Sequence, residues 1–115
     1  MKILEGIQAL TSQSLTTAIE NGDSIQITLT FKPAVKMWFM DLVWNDFSVN
    51  GLRVCNVPNL LQQYDKIIPF GINVNVIDGT EPFIINDFSS GRVLLGILTP
   101  NEVQQINTSY EEAKI

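Results

Sequence analysis

Residues Met37 to Trp44 read Met-Trp-Phe-Met-Asp-Leu-Val-Trp, and this stretch decides the fold. Even positions carry Trp38, Met40, Leu42 and Trp44; odd positions carry Met37, Phe39 and Val43, with Asp41 as the one polar residue. The run is bounded by Pro33 and by Asn45-Asp46, is short for a helix, and is rich in aromatic and β-preferring residues. It therefore predicts a strand. A strand with one wet face alternates apolar with polar residues, whereas this one is apolar on both faces. Its place is central in a small β-barrel or sandwich, or one face meets another protein. Both tryptophans of the chain lie here, and burying a large aromatic is worth about 2–3 kcal/mol.

Upstream, Ser14–Glu20 and Ser24–Phe31 alternate β-branched and polar residues around Asn21-Gly22, where Asn and Gly supply the positive φ of a tight turn. This predicts a hairpin with one apolar face (Leu15, Ile19, Ile25, Ile27, Leu29, Phe31) and one Ser/Thr/Gln face. A short first strand is expected around Gly6–Leu10. Downstream, either Asn45-Asp46 or Asn50-Gly51 can close the next hairpin. Leu60–Tyr64 reads as one or two helical turns or an irregular loop. Ile67, Ile68 and Phe70 return the chain to the core, and Ile72, Val74 and Val76 mark a strand ending at Asp78-Gly79. Arg92–Leu98 is the last strand, with Gly96 marking a bulge or a close backbone approach. Thr99-Pro100-Asn101-Glu102 is a helix start: a capping Thr, Pro at the first helical position, and Glu three residues after the cap. The expected architecture is all-β, a mainly antiparallel barrel or sandwich. Residues 1–115 form one domain, with a short C-terminal helix over about 100–110.

At 115 residues, 45% hydrophobic and 17% charged, the chain can build its own core. Net charge is −5, and the 7 basic residues are scattered, so the stripe that neutralises nucleic-acid phosphates is missing. One cysteine, Cys55, and no histidine exclude an internal disulfide, His/Cys metal centres, and Ser-His or Cys-His catalysis. The start lacks the apolar run of a signal peptide, and no stretch approaches the ~20 apolar residues of a membrane helix. The expectation is a soluble protein made in the cytoplasm, with no cofactor.

Asp41, set among aromatics, has the position of an acid with a raised pKa. Pairing with Arg53, Arg92 or Lys36, or a pleat that faces water, is the simpler reading. Asp78-Gly79-Thr80-Glu81 with Asp87 offers oxygen ligands, but not the spacing of a calcium loop, which favours a turn with solvated charges. Cys55 reads as a buried inert thiol. Trp38 and Trp44 belong to a core or a subunit interface rather than to base or sugar stacking. The interface candidates are Trp38, Trp44, Phe47, Tyr64, Val103, Ile106 and Tyr110.

The order of these motifs resembles the baseplate plug family of contractile-tailed phages, of the cyanophage type. The resemblance spans about residues 7–99. It rests on the Asn21-Gly22 hairpin, the strand Trp38-Phe39-Met40-Asp41-Leu42, the segment Leu60-Leu61-Gln62-Gln63-Tyr64, and Asp87–Gly91 followed by Arg92-Val93-Leu94-Leu95. The chain departs from the family pattern at Trp44-Asn45-Asp46-Phe47 and in adding the C-terminal helix. The resemblance implies a structural virion protein of the tail baseplate, made in the host cytoplasm and without catalytic residues. It would plug or bridge hub and tube, touching hub, tube, spike or tape-measure proteins. It would also form a homo-oligomer around the tail axis, with a trimer favoured and a hexamer possible. The competing class is a small non-enzymatic module that binds a host or assembly factor through an exposed sheet edge. A hydrolase using Asp41 and Asp87 ranks third.

Overall fold

The computed structural model describes residues 1–19 and 22–113, the last four of these by backbone alone. Among the described residues seven strands are present: β1 (Lys2–Ile3), β2 (Ser12–Ala18), β3 (Ser24–Lys32), β4 (Met37–Trp44), β5 (Phe47–Arg53), β6 (Gly71–Val76) and β7 (Val93–Leu98). A short 3-10 turn spans Gln62–Tyr64, and α1 runs over Pro100–Ala113. No described helix is long and apolar enough to cross a membrane.

The strands form two antiparallel sheets, a four-stranded one in the order β2-β3-β4-β5 and a three-stranded one in the order β1-β7-β6. They do not close into a barrel, so of the two expected forms the chain adopts the sandwich. β4 lies between β3 and β5, as its composition predicts. Its even face is the core face: Trp38, Met40 and Leu42 are fully buried beside Ile25, Ile27 and Leu29 of β3. The opposing sheet contributes Ile72, Val74, Val76, Val93, Leu95 and Ile97. The odd face of β4 is not covered. Met37, Phe39 and Asp41 are half-exposed and Val43 is exposed, with the Lys32 ammonium 4.6 Å from the centre of the Phe39 ring.

The expected β2–β3 hairpin is present, with a register from Ser12 opposite Thr30 to Ala18 opposite Ser24. Gly22 has the positive φ of the turn, +92°, while Asn21 lies outside the described residues. The second hairpin is closed by Asn45-Asp46, with Asn45 at φ +51° and Trp44 paired to Phe47. Asn50-Gly51 instead forms a bulge within β5. The pairing steps from Met40–Leu52 to Leu42–Val49, which leaves both residues opposite Asp41. The Asp41 carboxylate accepts the Gly51 N–H at 2.7 Å, so this residue pins the bulge. Of the ionic partners expected for it, Arg92 is engaged by Asp78 and Asp87.

Two local expectations are corrected. The first strand is Lys2–Ile3 and not Gly6–Leu10. Gly6 takes φ +79°, which breaks the extended chain, while Leu4 and Ile7 anchor the irregular segment by burial. Ile67 is 64% exposed, whereas Ile68 and Phe70 enter the core. Of the two readings of Gly96, a bulge or a close approach, the structure shows the approach: a Cβ there would lie 2.7 Å from Met1 Sδ and 3.3 Å from Ile3 Cδ1, so the glycine makes room for the N-terminal side chains.

Segment 56–60 runs along the free side of β6. Val74 N–H donates to Val57 O at 3.1 Å and Leu60 N–H to Ile72 O at 2.7 Å. The buried Asn59 carboxamide accepts from Leu61 N–H at 3.0 Å and Ile72 N–H at 3.2 Å. At the other end, the capping box forms as read. Thr99 N–H donates to Glu102 Oε1 at 3.0 Å, and Glu102 N–H donates to Thr99 Oγ1 at 3.2 Å. Glu102 also holds the N-terminal ammonium at 2.7 Å. That ammonium, followed by the Thr99 backbone N–H, lowers the Glu102 pKa from its ordinary value.

Two outcomes are expected. A Cβ on Gly71 would sit 2.6 Å from Asn59 Oδ1, so Gly71→Ala must displace a hydrogen-bonded buried carboxamide. The expected cost is about 1–3 kcal/mol in denaturant melts. A carboxylate with a depressed folded-state pKa adds stability above its unfolded pKa and loses it as pH falls through the folded value. Acid titration of stability should therefore be shallower in Glu102→Gln than in the parent below about pH 4.3.

Candidate interaction surface

The candidate residues divide by burial. Trp38 has no exposed surface. Its ring packs on Phe31 and Phe88 at 5.2 and 5.0 Å, and its indole N–H donates to Ile84 O at 3.1 Å. Val103 is likewise buried, at 6% exposure. Neither offers area to a partner in this chain; both are core residues, because their side chains face the inside of the sandwich and the helix seat.

Trp44, Phe47 and Tyr64 do come together. Trp44 and Phe47 are cross-strand partners at the β4–β5 turn. Trp44 meets Phe70 edge-on at 5.9 Å, and Phe47 meets Tyr64 edge-on at 5.2 Å. All three candidates are half-buried, and the Trp44 indole donates to Asp23 Oδ2 at 3.2 Å. The result is a ridge of aromatic rings running from the sheet onto the 3-10 turn. Ile106, on α1, is half-buried and lines a shallow groove with Met1, Asn73 and Leu98; the Tyr110 side chain lies outside the described residues. α1 is seated mainly by Asn107, which accepts from Gln62 Nε2 and donates to Asp65 Oδ2 at 2.7 Å. Sequence reading missed that polar seat, since the apolar stripe of the helix was its only visible signal.

Also missed was the organisation of the crossover between β6 and β7. Asp87 is fully buried. Its Oδ2 accepts Phe83 N–H at 2.6 Å and Ile84 N–H at 2.9 Å, and its Oδ1 accepts Arg92 Nε–H at 2.8 Å. Arg92 extends the grip to Asp78 at 3.1 Å, Thr80 Oγ1 at 2.7 Å and Glu81 O at 2.8 Å. Its guanidinium lies 4.6 Å from the centre of the Phe83 ring. The Thr80 hydroxyl and N–H, with Arg92 adding to them, lower the Asp78 pKa, and Asp87 foremost raises that of Arg92. Asp78 and Glu81 are exposed, as a turn with solvated charges predicts, while Asp87 is buried and Arg92 ties the loop to it. Among the described residues no group of three or more His, Cys, Asp or Glu side chains could hold a metal ion.

The structure does not bring Asp41 and Asp87 together. Asp41 sits on the outer face opposite Thr28, while Asp87 is enclosed on the core side. Cys55 is half-buried, and its thiol pKa is raised, chiefly by burial and secondly by Glu81. An open groove of about 540 Å³ lies between residues 3–9 and Phe88, Ser89, Val93 and Leu94. Glu5 is its one titratable side chain.

The scaffold is thus a two-sheet antiparallel sandwich with a half-exposed aromatic ridge and a buried Asp87 that holds a loop. In the comparison with family models, the cyanophage baseplate Pam3 plug gp18 family matches residues 1–104, and the chain belongs to that family. Among curated proteins no sequence matches.

Removing one partner of a buried pair leaves the other uncompensated. Asp87→Ala is therefore expected to cost about 3–5 kcal/mol. The loss should appear as a lowered denaturation midpoint, with exposure of Trp38 to iodide quenching as the crossover loosens.

Proposed function

We propose that this protein plugs or bridges the baseplate hub and tail tube of a phage virion through subunit contacts, without catalysis. The family match over residues 1–104 carries this reading. Several copies stand around the tail axis, three favoured over six, since cyclic assemblies close through heterologous patches. The aromatic ridge of Trp44, Phe47 and Tyr64 supports the reading, because half-buried aromatic rings are the residues that anchor interfaces. Ile106 and the end of α1 are the further contacts proposed toward a neighbouring subunit. The protein is made in the host cytoplasm and carried in the baseplate, where its partners are the hub, tube, spike or tape-measure proteins.

Binding to purified hub protein, followed by sedimentation, tests this. The protein should co-sediment with hub. Phe47→Ala, with its melting curve checked, should weaken the complex at least tenfold, the loss of about 1.4 kcal/mol expected of one interface anchor. A protein that shows no hub affinity at all would overturn the reading.

A further inference from the structure

The sheet edges of this molecule are treated unequally. On the three-stranded sheet, the free side of β6 is bonded to segment 56–60, through Val57 O, Leu60 N–H and the Asn56 carboxamide. The far side of β7 is covered by β1 and then by Asp87, whose carbonyl takes Val93 N–H at 3.0 Å. On the four-stranded sheet, β5 carries the Asn50-Gly51 bulge and ends in the charged Arg53. These are the devices by which proteins keep edge strands from pairing with other chains. β2 has none of them. It reads Ser-Gln-Ser-Leu-Thr-Thr-Ala, without charge or proline, and every residue is in unbroken register with β3. Among the described residues no element pairs with its outer side.

The ladder shows which groups are open. Thr11 O accepts Phe31 N–H at 2.8 Å, and Ile19 N–H donates to Asp23 O at 2.9 Å. Odd-numbered residues of the strand therefore face β3, and the alternation of an antiparallel pair turns the N–H and C=O of Ser12, Ser14, Thr16 and Ala18 outward. The Gln13 side chain is engaged with the backbone of Gln8, at 2.9 and 2.7 Å, which leaves those outward groups untouched.

We propose that β2 is a docking edge, at which a second copy of this chain adds its own β2 antiparallel about a two-fold axis at Leu15. The register is self-consistent. Centred on Leu15, it sets Ser14 against Thr16 of the second copy and Ser12 against Ala18, so that every outward-facing residue meets another outward-facing residue. Leu15, half-buried at the rim of the core, meets its own copy in the non-hydrogen-bonded position, where side chains approach most closely. Ser14 and Thr16 form Ser–Thr pairs on the solvent face. Each copy carries a net charge of −5, and the uncharged β2 is a seam at which two such copies meet without like-charge repulsion. A tail axis is polar, so this two-fold contact belongs to the free protein before it enters the tail, where it closes an otherwise adhesive edge. It is a property of the isolated chain and stands whether or not the hub contacts above are found.

Sedimentation equilibrium of the purified protein should show a concentration-dependent dimer. Thr16→Pro removes an N–H used only across the seam, at a position where an edge strand accepts proline. It should raise the dimer dissociation constant at least tenfold while leaving the melting curve near that of the parent. Thr16→Lys, which places a charge at the seam, should act in the same direction should the proline variant fail to fold. In a Cys55→Ser background, Leu15→Cys should form an intermolecular disulfide on mild oxidation, since residues directly opposite at a non-hydrogen-bonded site are about 4.5 Å apart in Cα and within bonding range. Val35→Cys, at an exposed turn position, should not. A protein that stays monomeric at high concentration, or an oligomer indifferent to both Thr16 variants and not captured by Leu15→Cys, would overturn the proposal.

Discussion

The buried carboxylate of Asp87 is the constraint on which the architecture turns. Withdrawing a carboxylate from water costs several kcal/mol unless its lone pairs are satisfied. Here one oxygen takes Arg92 Nε–H and the other takes two successive backbone N–H groups, of Phe83 and Ile84. Those bonds fix the crossover between β6 and β7. They also aim the Ile84 carbonyl at the Trp38 indole. A charge pair in the loop of one sheet thereby sets the seat of the largest core side chain of the other, and the two layers are joined by polar contacts as well as by packing.

That arrangement bears on the protein's role in a baseplate. A plug must hold its shape against neighbours, and loops fixed by buried or charge-assisted bonds lose little further entropy on docking. Asp87 with Arg92, Asp41 with the β5 bulge, Asn59 along β6 and Asn107 under α1 all work in this way. Each holds backbone or a neighbouring element in place. The half-exposed aromatic ridge and the β2 edge are the surfaces proposed for contact with other chains, one through side chains and the other through main-chain groups.

Much of the fold was legible because it follows from local periodicity. The β2–β3 hairpin, the limits of β4, the alternation of Ile72, Val74 and Val76, and the Thr99–Glu102 capping box each depend on residues within a few positions of one another. Where two local signals competed, a single sequence could not choose between them. Asn45-Asp46 and Asn50-Gly51 both have turn chemistry; the choice fell to cross-strand register, which made the first a turn and the second a bulge held by Asp41. The site was legible only in part. The aromatic character of Trp44, Phe47 and Tyr64 was visible, and their convergence into a ridge was not. Trp38 and Trp44 looked equivalent by type and parity, yet the first is fully buried and the second half-exposed.

By itself the sequence determined the β class, the central strand, the helix start, the absence of histidine and of a second cysteine, and a motif order shared with the plug family. The tertiary structure alone decided the sandwich over the barrel, the partners of Asp41 and Asp87, which sheet edges are covered, and which aromatics remain at the surface. The physical reason is the range of the interactions. Turn dihedrals, caps and strand alternation act between near neighbours. Ion pairs, ring contacts and edge coverage join residues far apart in the chain, and they exist only once the two sheets have packed.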